Sequence, residues 1–405
     1  MMKEDNRNLL LAIVLSVVIL LGWQFFYAKP QMEKQQEIAR QNQQTQTQAA
    51  PAGASNPAAT AAPPGQQAGS AAPGAAPGAA AAQVSGTREQ ALAASPRIKI
   101  DTPKIAGSIS LAGGRIDDVS LKAYHETVDP KSPIIVLLSP AGGPNAYYSD
   151  FGWVAAPGSN VPVPNATTLW TADNQLLTPS QPVTLSWDNG QGLTFKRIIR
   201  VDDNAMFSIR DEVENKGSAA VTLFPYGQVV RQGKPHTLGY YVLHEGLVGY
   251  LGEQGLQELT YDKLDKEGPL SSGTVGKVWK DAVGGWVGIT DKYWAAAVIP
   301  DQARKFEGRF SSVQTGTERT YQADFLGEGI AVAPGASTAS QSRLFAGAKE
   351  VAAINGYEES QQIKRFDLLI DWGWFYFFTK PLFFVLDWIY KHIGNFGVAI
   401  LIVTV

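Results

Sequence analysis

No cysteine occurs among the 405 residues. Disulfides, thiolate metal sites and cysteine nucleophiles are therefore excluded. The compartment stays open, because an extracytoplasmic domain with a large core can do without disulfides. Histidine is nearly as scarce: His125, His236, His244 and His392 complete the set, and no HxH or HExxH spacing occurs. Neither a metal site nor a cofactor is expected. Charge is thin as well, at 18% of residues with a formal net charge of -3. That balance gives no electrostatic ground for binding nucleic acid. The chain is instead rich in glycine (40) and proline (24) and carries ten tryptophans. At this length, two to three domains are expected.

The first long apolar run is Leu9 to Ala28, uncharged and closing on Trp23, Phe25, Phe26 and Tyr27. It is long enough to span a bilayer, with an aromatic belt at its far end. A cleaved signal peptide would have a shorter apolar stretch and a small-x-small site, where this sequence has bulky aromatics. The reading is an uncleaved anchor over 9–28 behind a short tail, 1–8. Lys3 and Arg7 precede the span while Lys29, Lys34 and Arg40 follow it, so charge alone does not orient it. The short tail and the long chain that follows favour the N-terminus inside. Residues 29–96 read as a linker. Its stretch 41–87 is uncharged and built of Gln, Ala, Pro, Gly and Thr, so it buries too little apolar surface to offset chain entropy.

From 97 to 346 the pattern has period two. Val183, Leu185 and Trp187 alternate with Thr184 and Ser186, then Asp188-Asn189-Gly190 offers a hairpin turn back into Leu193, Phe195, Ile199 and Val201. Phe207, Ile209 and Val213 form the next strand, Asn215-Lys216-Gly217 the next turn, and Ala219 to Val230 a further strand. Trp286–Ile289 and Tyr293–Ile299 flank Thr290-Asp291-Lys292 as another hairpin. Such a series predicts a large antiparallel sandwich. Its tryptophans 153, 170, 187, 279, 286 and 294 are candidates for stacking on sugar rings, against the plainer reading of core packing. His236, or His244 with Glu245, is a candidate acid–base group. Neighbours on a strand point to opposite faces, which makes His244 and Glu245 a poor pair. Asp202-Asp203 precede Asn204 and read as turn chemistry rather than paired catalytic carboxylates.

Residues 347–360 predict a connecting helix. Over 361–378, Ile363, Phe366, Leu369, Ile370, Trp374, Phe377 and Phe378 recur at three- and four-residue steps, which predicts an amphipathic helix with Lys364 near Asp367. The density of Trp372, Trp374 and Tyr376 suits a lipid headgroup interface; a buried core helix is the competing reading. Thr379 is placed to cap a second helix with Pro381 in its first turn, running to Gly394. Residues 361–394 are thus expected to form interfacial helices. From Phe396 the sequence is purely apolar to Val405, about half the depth of a bilayer, so 395–405 reads as the opening of a second span. The candidate membrane-interface residues are Phe366, Ile370, Trp372, Trp374, Phe377, Phe378 and Trp388.

This order of segments, with three local matches, resembles the YidC/Oxa/Alb family of membrane protein insertases. The matches are Arg7-Asn8-Leu9 with Gly22-Trp23; Gly285-Trp286-Val287, Tyr293-Trp294 and Ile299-Pro300; and Asp371-Trp372-Gly373-Trp374, Lys380-Pro381-Leu382-Phe383 and Gly394-Asn395-Phe396-Gly397. The last group is the most specific, and the linker matches only in character. The resemblance implies a mainly β periplasmic domain, a β-supersandwich similar to sugar mutarotases, held between an N-terminal transmembrane helix and C-terminal interfacial and transmembrane helices. It implies a non-enzymatic insertase and chaperone of the bacterial inner membrane. The implied partners are nascent membrane proteins, the Sec translocon with SecD and SecF, and the lipid bilayer. The buried positive residue of the insertase groove would lie beyond Val405, outside this chain. The alternative is a membrane-anchored carbohydrate-binding or mutarotase-like domain.

Overall fold

The computed structural model describes residues 86–235, 243–271, 273–315, 318–373 and 375–404. The anchor expected over 9–28, most of the linker, His236 and Trp374 lie outside these residues. The helix Arg88–Ala93 falls inside the stretch read as linker, closed by a capping box in which Thr87 and Gln90 satisfy each other's backbone N–H groups. Arg88 pairs with Asp118 and so fastens this helix to the sandwich.

Among the described residues the strands form two sheets, one of twelve strands and one of nine. All pairings are antiparallel except Arg97–Asp101 with Leu176–Leu177. The hairpin read from Asn189-Gly190 is present: Val183–Asp188 pairs with Leu193–Val201 in register from Val183↔Ile199 to Asp188↔Thr194. Its loop is longer than a two-residue turn and is organised by the Asp188 and Asn189 carboxyl and amide oxygens, which accept backbone N–H bonds from Gly190, Gln191 and Leu193. Gly285–Thr290 and Trp294–Ile299 form the other expected hairpin.

Period-two burial aligns the inner faces. Phe195, Ile199, Ile209 and Leu344 of the nine-stranded sheet meet Ile98, Phe151, Val229 and Phe325 of the twelve-stranded sheet in one core. Arg197 crosses that core. It is 1% exposed, pairs with Asp211 at 2.7 Å within its own sheet, and donates to the carbonyl oxygens of Gly114 (3.1 Å) and Phe151 (2.5 Å) in the other. Trp170 packs on its guanidinium.

A second core lies on the outer face of the nine-stranded sheet. Met206, Trp286, Ile299 and Phe345 are covered there by Ile354 and Tyr357 of the helix Val351–Ser360, and by Ile363, Phe366 and Leu369 beyond it. The connecting helix expected over 347–360 is therefore present, starting after the strand Ser337–Ala348.

The single amphipathic helix expected over 361–378 is not formed. Gln362 and Arg365 both adopt positive φ (53°), as does Gly373 (72°), and among the described residues of 361–375 only the 3-10 turn Phe366–Leu369 is helical. The apolar steps 363, 366 and 369 have the three-residue period of a tighter turn. They point inward, so over this stretch the competing core reading holds.

Candidate membrane interface

The chain leaves the outer core at Ile370 and enters the helix Tyr376–Ile393, which ends at Gly394 in the left-handed conformation. Phe396–Thr404 follows as a separate helix, with the Asn395 side chain accepting from Val398 N–H. Thr379 does not cap the long helix. It lies inside the first turn, where its hydroxyl donates to the carbonyl of Trp372 at 2.6 Å. Pro381 accordingly sits one turn further in than expected, where its missing N–H leaves one helical hydrogen bond unmade. Among the described residues no helix is both long and apolar enough to cross a membrane.

What distinguishes the long helix is its surface. Phe375 and Phe377 are each 66% exposed, Phe378 and Trp388 each 62%, and Leu382, Phe383, Phe384 and Val385 are also exposed. Phe396, Leu401 and Ile402 continue the apolar surface onto the next helix. Scattered apolar side chains on a surface need no explanation, but a contiguous apolar patch marks a lipid or protein contact. Each large side chain left in water forgoes about 1.5–3 kcal/mol of burial. Lys380, Asp387 and Lys391, at steps of seven and four, fall on one side of the helix, with Asp387 and Lys391 paired at 2.6 Å.

A polar knot fixes this helix to the sandwich. Asp367 is 6% exposed amid apolar neighbours. Its carboxylate accepts from Lys380 Nζ at 2.8 Å and from Arg365 Nε at 3.2 Å. Its backbone N–H donates to Glu358 at 3.0 Å, and its carbonyl accepts from Trp372 Nε1 at 3.1 Å. Burial pushes the Asp367 pKa up, but the Lys380 and Arg365 hydrogen bonds outweigh it and hold the carboxyl below its ordinary range. Burial raises that of Glu358 beside it. Lys364, three residues before Asp367 in the sequence, lies over the Tyr250 ring rather than on Asp367. A second tie is Asp371, whose side chain accepts from His244 N–H at 2.8 Å and from Gly373 N–H at 2.8 Å. Lys380 also stacks over the Trp372 ring, which meets Phe383 edge-on at 5.6 Å.

The candidate interface residues therefore divide. Phe366 is fully buried against Trp286, Phe345 and Tyr357 and leaves the set. Ile370 is half-buried against the same core, and Trp372 is half-buried at the knot. Phe377, Phe378 and Trp388 lie on the exposed apolar surface. Asp367 and Lys380 were missed as anchors. The available signal was an acid set inside an apolar run.

The sugar-site candidates do not converge. Trp153, Trp170, Trp279 and Trp286 are buried, and Trp187 and Trp294 pack against the core. His244 Nε2 bonds the Leu247 carbonyl, burial lowering the ring's pKa, and His125 Nδ1 bonds the Ser132 carbonyl. Among the described residues no histidine ring is hydrogen-bonded to a carboxylate. Asp202 organises its turn, accepting from Asn204 and Met206 N–H and from the Tyr357 hydroxyl.

The fold is thus a two-sheet β-sandwich carrying an exposed apolar helix tied down at Asp367. Residues 97–385 match the model of the YidC periplasmic domain, and the chain belongs to that family. Membrane protein insertase YidC of Methylobacterium radiotolerans is 57% identical over 404 residues, covering 100% of this chain and 65% of its own length. The protein of the same name from Bradyrhizobium diazoefficiens is 50% identical over 427 residues, again covering 65% of its length. The chain thus spans about two-thirds, 65%, of the curated relatives it matches. Among solved structures, a galactose mutarotase-like protein from Lactobacillus casei aligns at a TM-score of 0.39 and 10% identity, covering 62% of this chain and 99% of its own.

Proposed function

We propose that this chain is the periplasmic and membrane-surface portion of a membrane protein insertase and chaperone of the bacterial inner membrane, non-enzymatic and assisting insertion and folding of nascent membrane proteins. The observation that carries this reading is 57% identity over the full chain to a protein named as such an insertase. The anchor over 9–28 holds the sandwich at the periplasmic face, Phe377, Phe378 and Trp388 rest in the headgroup region, and the second span opens at 395–405. Trp374 belongs to the same interfacial set. The chain spans 65% of the length of the relatives named as insertases, so insertion is assigned here to the whole protein. The Sec translocon, with SecD and SecF, is the partner on the sandwich side. The test is complementation: cells depleted of their own insertase receive the full-length parent carrying this chain, and insertion of a small inner-membrane reporter is followed by protease protection. Restored protection supports the reading, and its absence despite normal parent levels overturns it.

A further inference from the structure

Away from the apolar helix, the outer face of the nine-stranded sheet holds a cavity of about 520 Å³ lined by Arg200, Ser208, Arg210, Arg343 and Gln362. Register explains the cluster. Arg200 pairs with Ser208, and Ser208 with Arg343, on three successive strands. Residues directly opposite on neighbouring strands point to the same face. The two arginines therefore flank Ser208, their backbones about 10 Å apart, within reach of converging guanidinium forks. Arg210 lies two residues along on the same face and spends its Nε on Glu212 at 2.6 Å. Among the described residues, the Arg200 and Arg343 side chains make no hydrogen bond or ion pair.

Arg343 is half-buried at the rim of the outer core, beside Ile299. Burying a cation without a partner is costly. Burial here pulls the guanidinium below the usual arginine range, and the nearby Asp301 only partly offsets this. The Asp301 carboxylate is itself engaged by Ala303 N–H. Two unpaired planar forks, a serine hydroxyl between them and a cavity in front make a receptor for a tetrahedral oxyanion.

We propose that this cavity binds a phosphate group through Arg200 and Arg343, with Ser208 as a further donor. The proposal does not rest on the insertase reading. The phosphate belongs either to an anionic lipid headgroup or to free phosphate. The first is favoured by position: Gln361 and Gln362 at the cavity's edge begin the segment that runs to the apolar helix.

The test uses the full chain in neutral detergent, titrated with inorganic phosphate against chloride at constant ionic strength, by calorimetry. Wild type is expected to show saturable binding, weakened roughly tenfold by Arg343→Gln and by Arg200→Gln, with partial recovery in Arg343→Lys. Arg200 is exposed, so its variant keeps the test open if the half-buried position perturbs folding; unchanged thermal melting without phosphate checks both. The titration is repeated in nanodiscs of phosphatidylcholine with and without phosphatidylglycerol. Weakening of phosphate binding by phosphatidylglycerol assigns the site to a lipid headgroup, and unchanged binding assigns it to free phosphate. Absence of saturable binding, or equal affinity in wild type and the Arg200→Gln variant, overturns the proposal.

Discussion

Asp367 carries more of the interface than any aromatic beside it, because it is the point where the exposed helix is tied to the folded domain. Its carboxyl feels two opposed effects. Burial favours the neutral acid, while Lys380 and Arg365 favour the carboxylate and prevail. The folded-state pKa is depressed, so the stabilisation is present above the unfolded value of about 3.9 and is lost as pH falls through the folded value. Glu358 shifts the other way, chiefly through burial and further through the Asp367 charge, so removing that charge relieves part of its shift. Asp367→Asn is expected to destabilise the domain by about 1–3 kcal/mol at neutral pH, the cost of leaving hydrogen-bonded cations without their charged partner. Urea unfolding at pH 7 and at a pH well below the unfolded carboxyl value checks this, since the gap should narrow as pH falls through the depressed folded value. An equal gap at both pH values would remove the ion-pair account. Sequence alone did not reveal the pairing. Lys380 lies thirteen positions from Asp367, beyond the reach of any local spacing rule, whereas Lys364 satisfied the local rule and points elsewhere.

At the scale of elements, legibility followed how local the deciding interactions were. The hairpins around Asn189-Gly190 and Thr290-Asp291-Lys292 could be read because strand, turn and return strand are contiguous. The stretch 361–378 could not. Its apolar spacing fits a helix, yet the outer core takes Ile363, Phe366 and Leu369 at a three-residue period and forces left-handed backbone at Gln362 and Arg365. Tertiary burial there overrides the local pattern. Helical structure resumes at Tyr376, and from there most of the large apolar side chains are exposed, Ile389 excepted. The absence of cysteine allows single spin labels without prior substitutions. In reconstituted bilayers, labels at Phe378→Cys and Trp388→Cys are expected to collide more with oxygen than with a water-soluble nickel chelate. A label at Gln362→Cys is expected to do the reverse. Equal accessibility to both reagents at all three positions would place the helix in water and leave its apolar face to a protein partner.

For the molecule as a whole, the question is whether two large sheets behave as one body. Apolar contact alone would let them slide, because the hydrophobic effect has no direction. Arg197 supplies direction. Its stem rises from the nine-stranded sheet, and its guanidinium bonds Asp211 in that sheet and two backbone carbonyls in the other. Tyr147 makes a reciprocal crossing, donating from the twelve-stranded sheet to the Ile289 carbonyl at 3.0 Å. Removing the Arg197 side chain leaves Asp211 buried and unpaired, and leaves two carbonyls without their donor. Breaking such a buried pair from one side costs about 3–5 kcal/mol. Arg197→Met, which keeps much of the volume, isolates the polar contribution. If the sandwich is one cooperative unit, hydrogen exchange in this variant accelerates by similar factors in Tyr147–Ala155 and Met206–Asn215, strands of opposite sheets, and denaturant unfolding stays a single transition. Acceleration confined to Met206–Asn215 would mean that the sheets open separately. The exposed helix would then be anchored to one sheet only, since Phe366, next to the Asp367 knot, docks on the outer face of the nine-stranded sheet.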